Sequence, residues 1–255
     1  MKNKHKNLGY IFMCGILLAG CSHDFDVTTL ENKQADEIFA LANKNMESKN
    51  YKDAITIYEE LEKLYPYSRH IASARLKEGI CNYKLKKYDE ATSSFEIFVK
   101  THPTHEEVPY ALYMLGVIHF EQMPIVERDQ DVSLKALTYF RELVGRYPSN
   151  NYAKESEKFI NALLEQLAAR EVYVARFYQS RHNFAAAINR LNTVVYYYGN
   201  TKHLPEAFHR LTECYITLGL FDEAEKTTNV LKKKFKDSEW TQRSINILNK
   251  YGKKR

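Results

Sequence analysis

A short signature, aromatic-x-x-Ala, recurs along this chain and limits its fold more than any other feature. Full copies occupy residues 51–54, 88–91, 184–187 and 221–224, and a degenerate copy occupies 133–136. Four residues after the alanines come Tyr58, Phe95, Phe140, Leu191 and Thr228. Residues four apart share one helix face, so each copy predicts a helix whose alanine lets another helix approach closely. Pro66, Pro103, Pro148 and Gly199, which end helices, follow the first four alanines at one fixed offset.

These offsets resemble the tetratricopeptide repeat, a pair of antiparallel helices about 34 residues long. Gly79 and Gly116 occupy the matching small position on the first helix of repeats two and three. We predict an all-α fold, a tetratricopeptide-repeat superhelical solenoid of about five helix pairs. Repeats one and two would span 35–105, and repeats three to five would span 106–240. A different helical bundle is the alternative.

Two repeats depart from the regular length. The third carries an insertion near 122–132 that contains a proline and a cluster of charges. The fourth has a lengthened first helix, predicted from Tyr152 to about Tyr178 without a helix breaker. Insertions in repeat arrays map to loops on one face, so the inserted loop is either an interaction site or a solvated connector.

The N-terminus predicts export and lipid attachment. Residues 1–20 combine Lys2, Lys4 and Lys6 with a short apolar core, which is typical of a secretory signal peptide and too short to span a membrane. The core ends in Leu-Ala-Gly before Cys21, which resembles the bacterial lipobox. That resemblance implies diacylglycerol and a fatty acyl group (palmitate-like) on Cys21, and no other cofactor.

The segments flanking the repeats are predicted from composition. Residues 21–34 are polar and read as an acylated tether, and 241–255 as a basic C-terminal tail. An aspartate directly after the lipobox cysteine would resemble an inner-membrane retention signal, but this chain has Ser22 at that position. By that analogy the protein would be lipid-anchored to the outer membrane at its periplasmic face.

Charge and motifs argue against nucleic-acid binding and catalysis. Without the three leader lysines the net charge falls from +5 to +2, which gives no reason to expect a nucleic-acid partner. The basic runs at 232–234 and 253–255 are read as solvated surface, with contact to anionic lipids as the alternative. The sequence contains no phosphate loop, nucleophile elbow or metal motif, so we predict neither an enzyme nor a metal site.

Two cysteines remain after the leader and Cys21 are set aside. Cys81 and Cys214 fall at the same position of repeats two and five, too far apart for a disulfide. We predict that both are buried as small apolar residues.

The first helices of tetratricopeptide repeats line a concave face, and here that face would be apolar and rich in tyrosine. Such a trough suits an extended peptide with alternate aromatic side chains. The predicted lining residues are Phe39, Met46, Leu76, Ile80, Tyr83, Tyr110, Tyr113 and Phe120. In the alternative interpretation these residues pack against neighbouring helices or are covered by the long helix of repeat four.

Longer stretches of sequence resemble the BamD family, the lipoproteins of the β-barrel assembly machine. The stretches that carry the resemblance are 54–61, 110–116, 128–130, 140–148 and 174–178. Gly199, in place of proline, and the weak fifth repeat depart from the pattern. The resemblance covers nearly all of the chain after the leader.

The resemblance implies a non-enzymatic scaffold in outer-membrane protein assembly and insertion. Its N-terminal repeats would recognise the C-terminal strand of unfolded outer-membrane proteins, and its C-terminal repeats would dock on the insertase subunit, with accessory lipoproteins as further partners. For insertase docking we single out Arg190 first and Arg181 second, because a guanidinium binds carboxylate through two bonds. A solvated arginine is the alternative at each position. A rival function is a periplasmic adaptor lipoprotein that recruits a protease or a cell-wall enzyme.

Overall fold

The computed structural model describes residues 25–252, which form a succession of helices without a β-strand in that range. A short 3-10 helix, Val27–Leu30, precedes eleven α-helices. These are α1 (Ala35–Glu47), α2 (Tyr51–Leu64), α3 (Ile71–Lys84), α4 (Tyr88–Thr101), α5 (Val108–Glu121), α6 (Asp131–Arg146), α7 (Asn151–Ser180), α8 (Phe184–Tyr197), α9 (Leu204–Thr217), α10 (Phe221–Lys234) and α11 (Glu239–Tyr251). The signal peptide and Cys21 lie outside the described residues.

Helices α1 to α10 pack as five successive pairs, as the repeat pattern predicts. The signature alanines are fully buried between the helices of their pairs, at Ala54, Ala91, Ala136, Ala187 and Ala224. Each element packs mainly on the next along the chain, which is how a solenoid buries faces that one helix pair would leave exposed. The tetratricopeptide-repeat solenoid is therefore confirmed.

The two glycines of the first helices mark where the pairs cross most closely. A Cβ on Gly79 would lie 2.9 Å from the Phe95 ring, and a Cβ on Gly116 would lie 2.5 Å from the Phe140 ring. Both rings are fully buried. Each aromatic of the repeat thus occupies the space that a side chain on the facing helix would need.

Four turns inside the pairs share one conformation. Lys49, Lys86, His182 and Gly219 follow α1, α3, α7 and α9 with φ values of 62°, 60°, 59° and 76°. This left-handed residue reverses the chain before the next helix begins. The turn between α5 and α6 lacks it, because the insertion replaces the short connection with residues 122–130.

Three predicted boundaries need correction. The second half of the tether belongs to the fold, since Leu30 is fully buried and Phe25 packs on the core of the first repeat. The insertion ends earlier than predicted, because Asp131 already begins α6. Residues 241–251 are not a tail but part of α11, where Ser244 bonds to His209 of α9 (Oγ to Nδ1, 2.9 Å).

The long first helix of repeat four is confirmed, and it joins the two halves of the molecule. Helix α7 has 30 residues and packs on α5 and α6 on one side and on α8 and α9 on the other. Among residues 25–252, none of the helices combines the length and apolar character that crossing a bilayer demands.

Candidate polypeptide-binding surfaces

The first helices of repeats one and two, α1 and α3, border an open cavity. Its volume is about 240 Å³, and its lining residues are Asn43, Met46, Glu47, Tyr51, Lys77, Ile80 and Lys84. Met46 and Ile80 supply apolar surface, and two lysines supply positive charge. Two of the predicted trough residues therefore lie together in one accessible site.

Phe39 lies beside this cavity and is held by its neighbours. Its ring stacks on that of His70 with the centroids 4.4 Å apart, and the Lys77 ammonium lies 5.1 Å from its centroid. Lys77 also donates to Asn43 Oδ1 at 2.7 Å, an oxygen that accepts from Tyr58 Oη at 2.8 Å. The half-buried Phe39 thus fixes a lysine at the edge of the cavity.

Tyr83 extends the same surface toward repeat three, but its hydroxyl is already bonded. Tyr83 Oη donates to Glu121 Oε1 at 2.7 Å, and Tyr88 Oη donates to Glu121 Oε2 at 3.1 Å. Burial, together with this hydrogen bond, raises the pKa of Tyr83, so the phenol stays neutral and remains a donor. This pair of bonds ties α3 and α4 to the last residue of α5.

Helix α7 packs on the repeat-three part of the predicted trough. Tyr110 and Tyr113 pack on Tyr152, with centroid distances of 5.4 and 5.2 Å, and Phe120 meets Phe159 edge to face at 4.8 Å. Burial raises the pKa of Tyr110 to about 12. Helix α7 thus partly covers Tyr110, Tyr113 and Phe120, as the alternative interpretation expects, but all three side chains stay partly exposed, and their place in a binding trough stays a prediction.

The structure corrects the prediction that Leu76 lines the trough. Its side chain is 7% exposed and belongs to the core formed by α3, α4 and α5, where it packs with Phe95 and Leu112. The repeat pattern predicted Leu76 on the concave side, but the orientation of α3 directs its side chain into the core. Leu76 is therefore not a lining residue, whereas Phe39, Met46, Ile80 and Tyr83 are only partly buried.

The inserted loop is docked on α7. The Gln166 side chain donates to the Pro124 carbonyl at 2.9 Å, and Arg170 Nη1 donates to the carbonyls of Val126 and Glu127 at 3.2 and 2.7 Å. These bonds satisfy backbone carbonyls of a segment that forms neither a helix nor a strand. The side chain of Ile125 stays exposed at the loop surface.

The two predicted docking arginines both belong to the α7–α8 hairpin. Arg190, on α8, is half-exposed, and its Nη1 lies 3.4 Å from Glu171 Oε2. Arg181 caps the end of α7, with its guanidinium 4.7 Å from the ring of the exposed Phe177. The structure gives the two arginines different partners, and each keeps donors available to a carboxylate from another chain.

Sequence reasoning missed a network of charges between α7, α9 and α11. The buried Glu206 carboxylate accepts from Arg176 Nε at 2.9 Å and from Arg210 Nε at 2.7 Å. The Trp240 ring lies near the guanidinium groups of Arg210 and Arg243, which are 5.9 and 4.8 Å from its centroid. The spacing of Glu206 and Arg210 by four residues could have indicated their pairing, but nothing local points to Arg176.

The two cysteines are buried as predicted. Cys81 and Cys214 are both fully buried and free. Burial raises the pKa of the Cys81 thiol to about 12 and that of Cys214 to about 11. Both therefore remain protonated and unreactive at neutral pH.

Comparison with known proteins gives matches over most of the chain. The profile of a family described as YfiO, Outer membrane lipoprotein, matches residues 31–231. An "Outer membrane protein assembly factor BamD" of Caulobacter vibrioides is 31% identical over 237 residues, covering 92% of this chain and 78% of that protein. Another protein of that name, from Rickettsia prowazekii, is 28% identical, and the match covers 96% of this chain and 98% of that protein. A solved structure, the complex of the TPR2AB domain of yeast Sti1 with pHSP90, is 13% identical, and the match covers 84% of each chain with a TM-score of 0.41.

Proposed function

We propose that this chain, which belongs to the YfiO family of outer membrane lipoproteins, is a lipid-anchored scaffold of outer-membrane protein assembly. Its relatives named assembly factor BamD support a role as a component of that machinery. The lipid would be attached to Cys21, at the periplasmic face of the outer membrane. The chain would act by holding other polypeptides, and not by catalysis.

The N-terminal repeats would bind an extended, unfolded segment of an outer-membrane protein. The observation that carries this proposal is the open cavity between α1 and α3, with apolar walls at Met46 and Ile80 beside Lys77 and Lys84. The cavity is large enough for an aromatic side chain, and the lysines suit a carboxylate. A C-terminal strand with alternate aromatic residues and a free chain end offers both groups.

The C-terminal repeats would dock on the insertase subunit, next to accessory lipoproteins. Arg190 and Arg181 are exposed cations on one hairpin, far along the solenoid from the cavity. Arg190 has one long contact with Glu171, so a partner carboxylate with better geometry would gain a paired hydrogen bond. Separate surfaces would let one chain hold substrate and insertase together.

Charge reversal at Arg190 tests the docking surface. We expect full-length Arg190→Glu to lose most of the insertase that co-purifies from detergent-solubilised envelopes, since a repelled carboxylate replaces a paired one. Lys226→Glu, which reverses an exposed cation of α10, is the matched control and should retain the insertase. Unchanged co-purification with Arg190→Glu would remove this residue from the interface, provided that the helical circular dichroism of both variants equals that of the wild type.

A peptide titration tests the cavity. The probe is a synthetic peptide with alternate aromatic residues and a free C-terminal carboxylate, measured by fluorescence anisotropy against the full chain. Ile80→Asp should weaken binding about tenfold, which corresponds to about 1.4 kcal/mol. Leu134→Asp changes an exposed leucine of α6 and should leave the affinity unchanged. Equal affinities for the wild type and Ile80→Asp would contradict binding at the cavity.

A further inference from the structure

Exposed apolar side chains gather at the end of the solenoid where the N-terminal segment joins it. Tyr67 is 99% exposed, and the exposed Leu64 and Pro66, at the end of α2 and just after it, border one pocket with it. Val27 is exposed on the 3-10 helix, which packs on α2. We call these four residues the N-terminal patch. Single exposed apolar residues are ordinary, but a fully exposed tyrosine beside a proline and two aliphatic side chains is not explained by packing.

The connection that carries Tyr67 is held in place on both sides. Tyr65 Oη donates to the Lys33 carbonyl at 2.7 Å, and Ser68 N donates to the Tyr65 carbonyl at 3.0 Å. On the far side, Asp36 at the start of α1 accepts from Arg69 Nη2 at 3.0 Å and lies 2.6 Å from His70 Nε2. Tyr67 therefore projects from a fixed turn.

The proposed lipid attachment point at Cys21 would lie close to this turn. The described residues begin at Phe25, which packs on the core of this end together with Ala35 and Tyr65. Cys21 precedes Phe25 by four residues, and four residues span at most about 14 Å when fully extended. Acyl chains on Cys21 would thus enter a bilayer within that reach of the first repeat.

We infer that the N-terminal patch is a second membrane contact, which enters the interface of the leaflet that holds the acyl chains. This inference rests on the proposed lipid anchor. Tyrosine suits that depth because its ring is apolar and its hydroxyl is polar. Lys63 and Arg69 flank the turn with exposed head groups that can reach lipid phosphates while their stems lie along apolar surface.

Apolar contact, and not net charge, would supply the attraction. Asp36 is paired with Arg69 and His70, but Asp26 and Glu31 also lie exposed on the N-terminal segment. Their charges offset those of Lys33 and Lys63, so the patch should not depend on anionic lipid. With the lipid anchor and the patch both engaged, the first repeat would be fixed against the bilayer and the solenoid would keep one orientation to it.

Tryptophan quenching tests this contact. Trp240 is the single tryptophan of the chain, so Tyr67→Trp is made in a Trp240→Phe background. The acylated full-length protein is reconstituted in phosphatidylethanolamine and phosphatidylglycerol vesicles, with or without bromine on the upper acyl carbons. We expect loss of emission in brominated vesicles and a blue shift relative to detergent, both unaffected by added salt. Tyr196→Trp in the same background, at an exposed tyrosine of α8, should keep its emission.

The outcomes separate the contact from the anchor. Flotation of the protein with vesicles, combined with unchanged emission of Tyr67→Trp, would overturn the contact and leave the lipid anchor intact. Failure of the mature protein to float or to carry acyl mass would overturn the anchor and, with it, the contact. Quenching that appears only after a partner protein is added would also overturn it, because the patch would then be a protein interface.

Discussion

The first two helix pairs and the last two use the same backbone plan to opposite effect. Between α1 and α3, Met46, Ile80 and two lysines border an open cavity. Between α7 and α9, the corresponding surface is filled by the chain itself, since Arg176 and Arg210 hold Glu206 and Gln179 bonds to Arg210. The repeat therefore fixes the helices, while the side chains facing the groove decide whether a site is open.

Helix α7 sets the border between the two regions. Its first turns carry Tyr152 and Phe159 over α5, and its later turns carry Arg170 and Arg176 toward the loop and α9. A helix of ordinary length could not make both sets of contacts. The lengthening of one helix thus separates the open groove between α1 and α3 from the filled groove between α7 and α9.

The largest expected effect is loss of the junction between the halves. Phe140 is fully buried, stacks on Phe159 at 5.1 Å and meets Tyr113 at 6.2 Å. Phe140→Ala should lower the free energy of unfolding by about 3–5 kcal/mol because a cavity replaces the ring. Urea unfolding of the full chain measures it, with the exposed Tyr196→Ala as a control that should change little. Equal midpoints for the two variants would show that α7 does not join the halves through this ring.

Adding one methyl group at the same helix crossing should lower the free energy of unfolding by a smaller amount than Phe140→Ala does. Gly116→Ala would place a Cβ 2.5 Å from the Phe140 ring and should destabilise the fold by about 1–3 kcal/mol. Gly145 is also helical, on α6, but nothing lies within 4 Å of its added Cβ. Gly145→Ala should instead stabilise by about 0.5–1 kcal/mol through helix propensity. Thermal unfolding gives both values, and the same sign for both variants would refute the close crossing.

The filled groove between α7 and α9 should carry an acid-sensitive contribution to stability at Glu206. Burial raises its pKa, but the hydrogen bonds and charges of Arg176 and Arg210 outweigh burial and hold the pKa below its usual value. Its ionised form therefore adds stability above the unfolded-state pKa, and this is lost as pH falls through the folded-state pKa. Glu206→Gln should cost about 1–3 kcal/mol at pH 7 and progressively less in acid. A difference that stays constant in urea unfolding from pH 7 to pH 3 would contradict the pairing.

The first two repeats should behave in the opposite way at Glu78, with the smallest effect. Burial raises the pKa of this carboxyl despite Arg75 and the hydrogen bond from Ser94. Its folded-state pKa lies above the unfolded value, so stability rises as pH falls from neutral toward the unfolded-state pKa. Glu78→Gln should lie within about 1 kcal/mol of the wild type at pH 7 and lack that rise. A wild-type-like rise in the variant would assign the effect to another group.

The sequence predicts what depends on repetition. The buried alanines, the pairing of Gly79 with Phe95 and of Gly116 with Phe140, and the long α7 all follow from spacings in the chain. Helix α11 escaped prediction because it is not paired with a second helix of its own repeat, and its contact face is made by Ser244, Thr241 and a partly buried Trp240. The docking of residues 25–34 escaped because one buried leucine, Leu30, carries it within a polar segment.

The site is less predictable than the fold, for a physical reason. Whether Tyr113 or Phe120 faces solvent depends on the path of α7, which passes over α5 from a distant part of the sequence. Leu76 and Ile80 lie one turn apart on α3, yet a modest rotation of that helix buries the first and leaves the second in the cavity. Helix periodicity gives a face, but not its exact rotation in the array.

Site-specific photocrosslinking tests the central claim most directly. A photoactivatable residue is placed at Met46 or Ile80 in the open cavity, or at Tyr113 under α7, in the full-length chain in cells that are synthesising outer-membrane proteins. Met46 and Ile80 should trap unfolded outer-membrane β-barrel proteins, and Tyr113 should give no crosslink to another chain. Barrel proteins trapped equally at all three positions, or a protease or cell-wall enzyme trapped at Met46, would contradict this account.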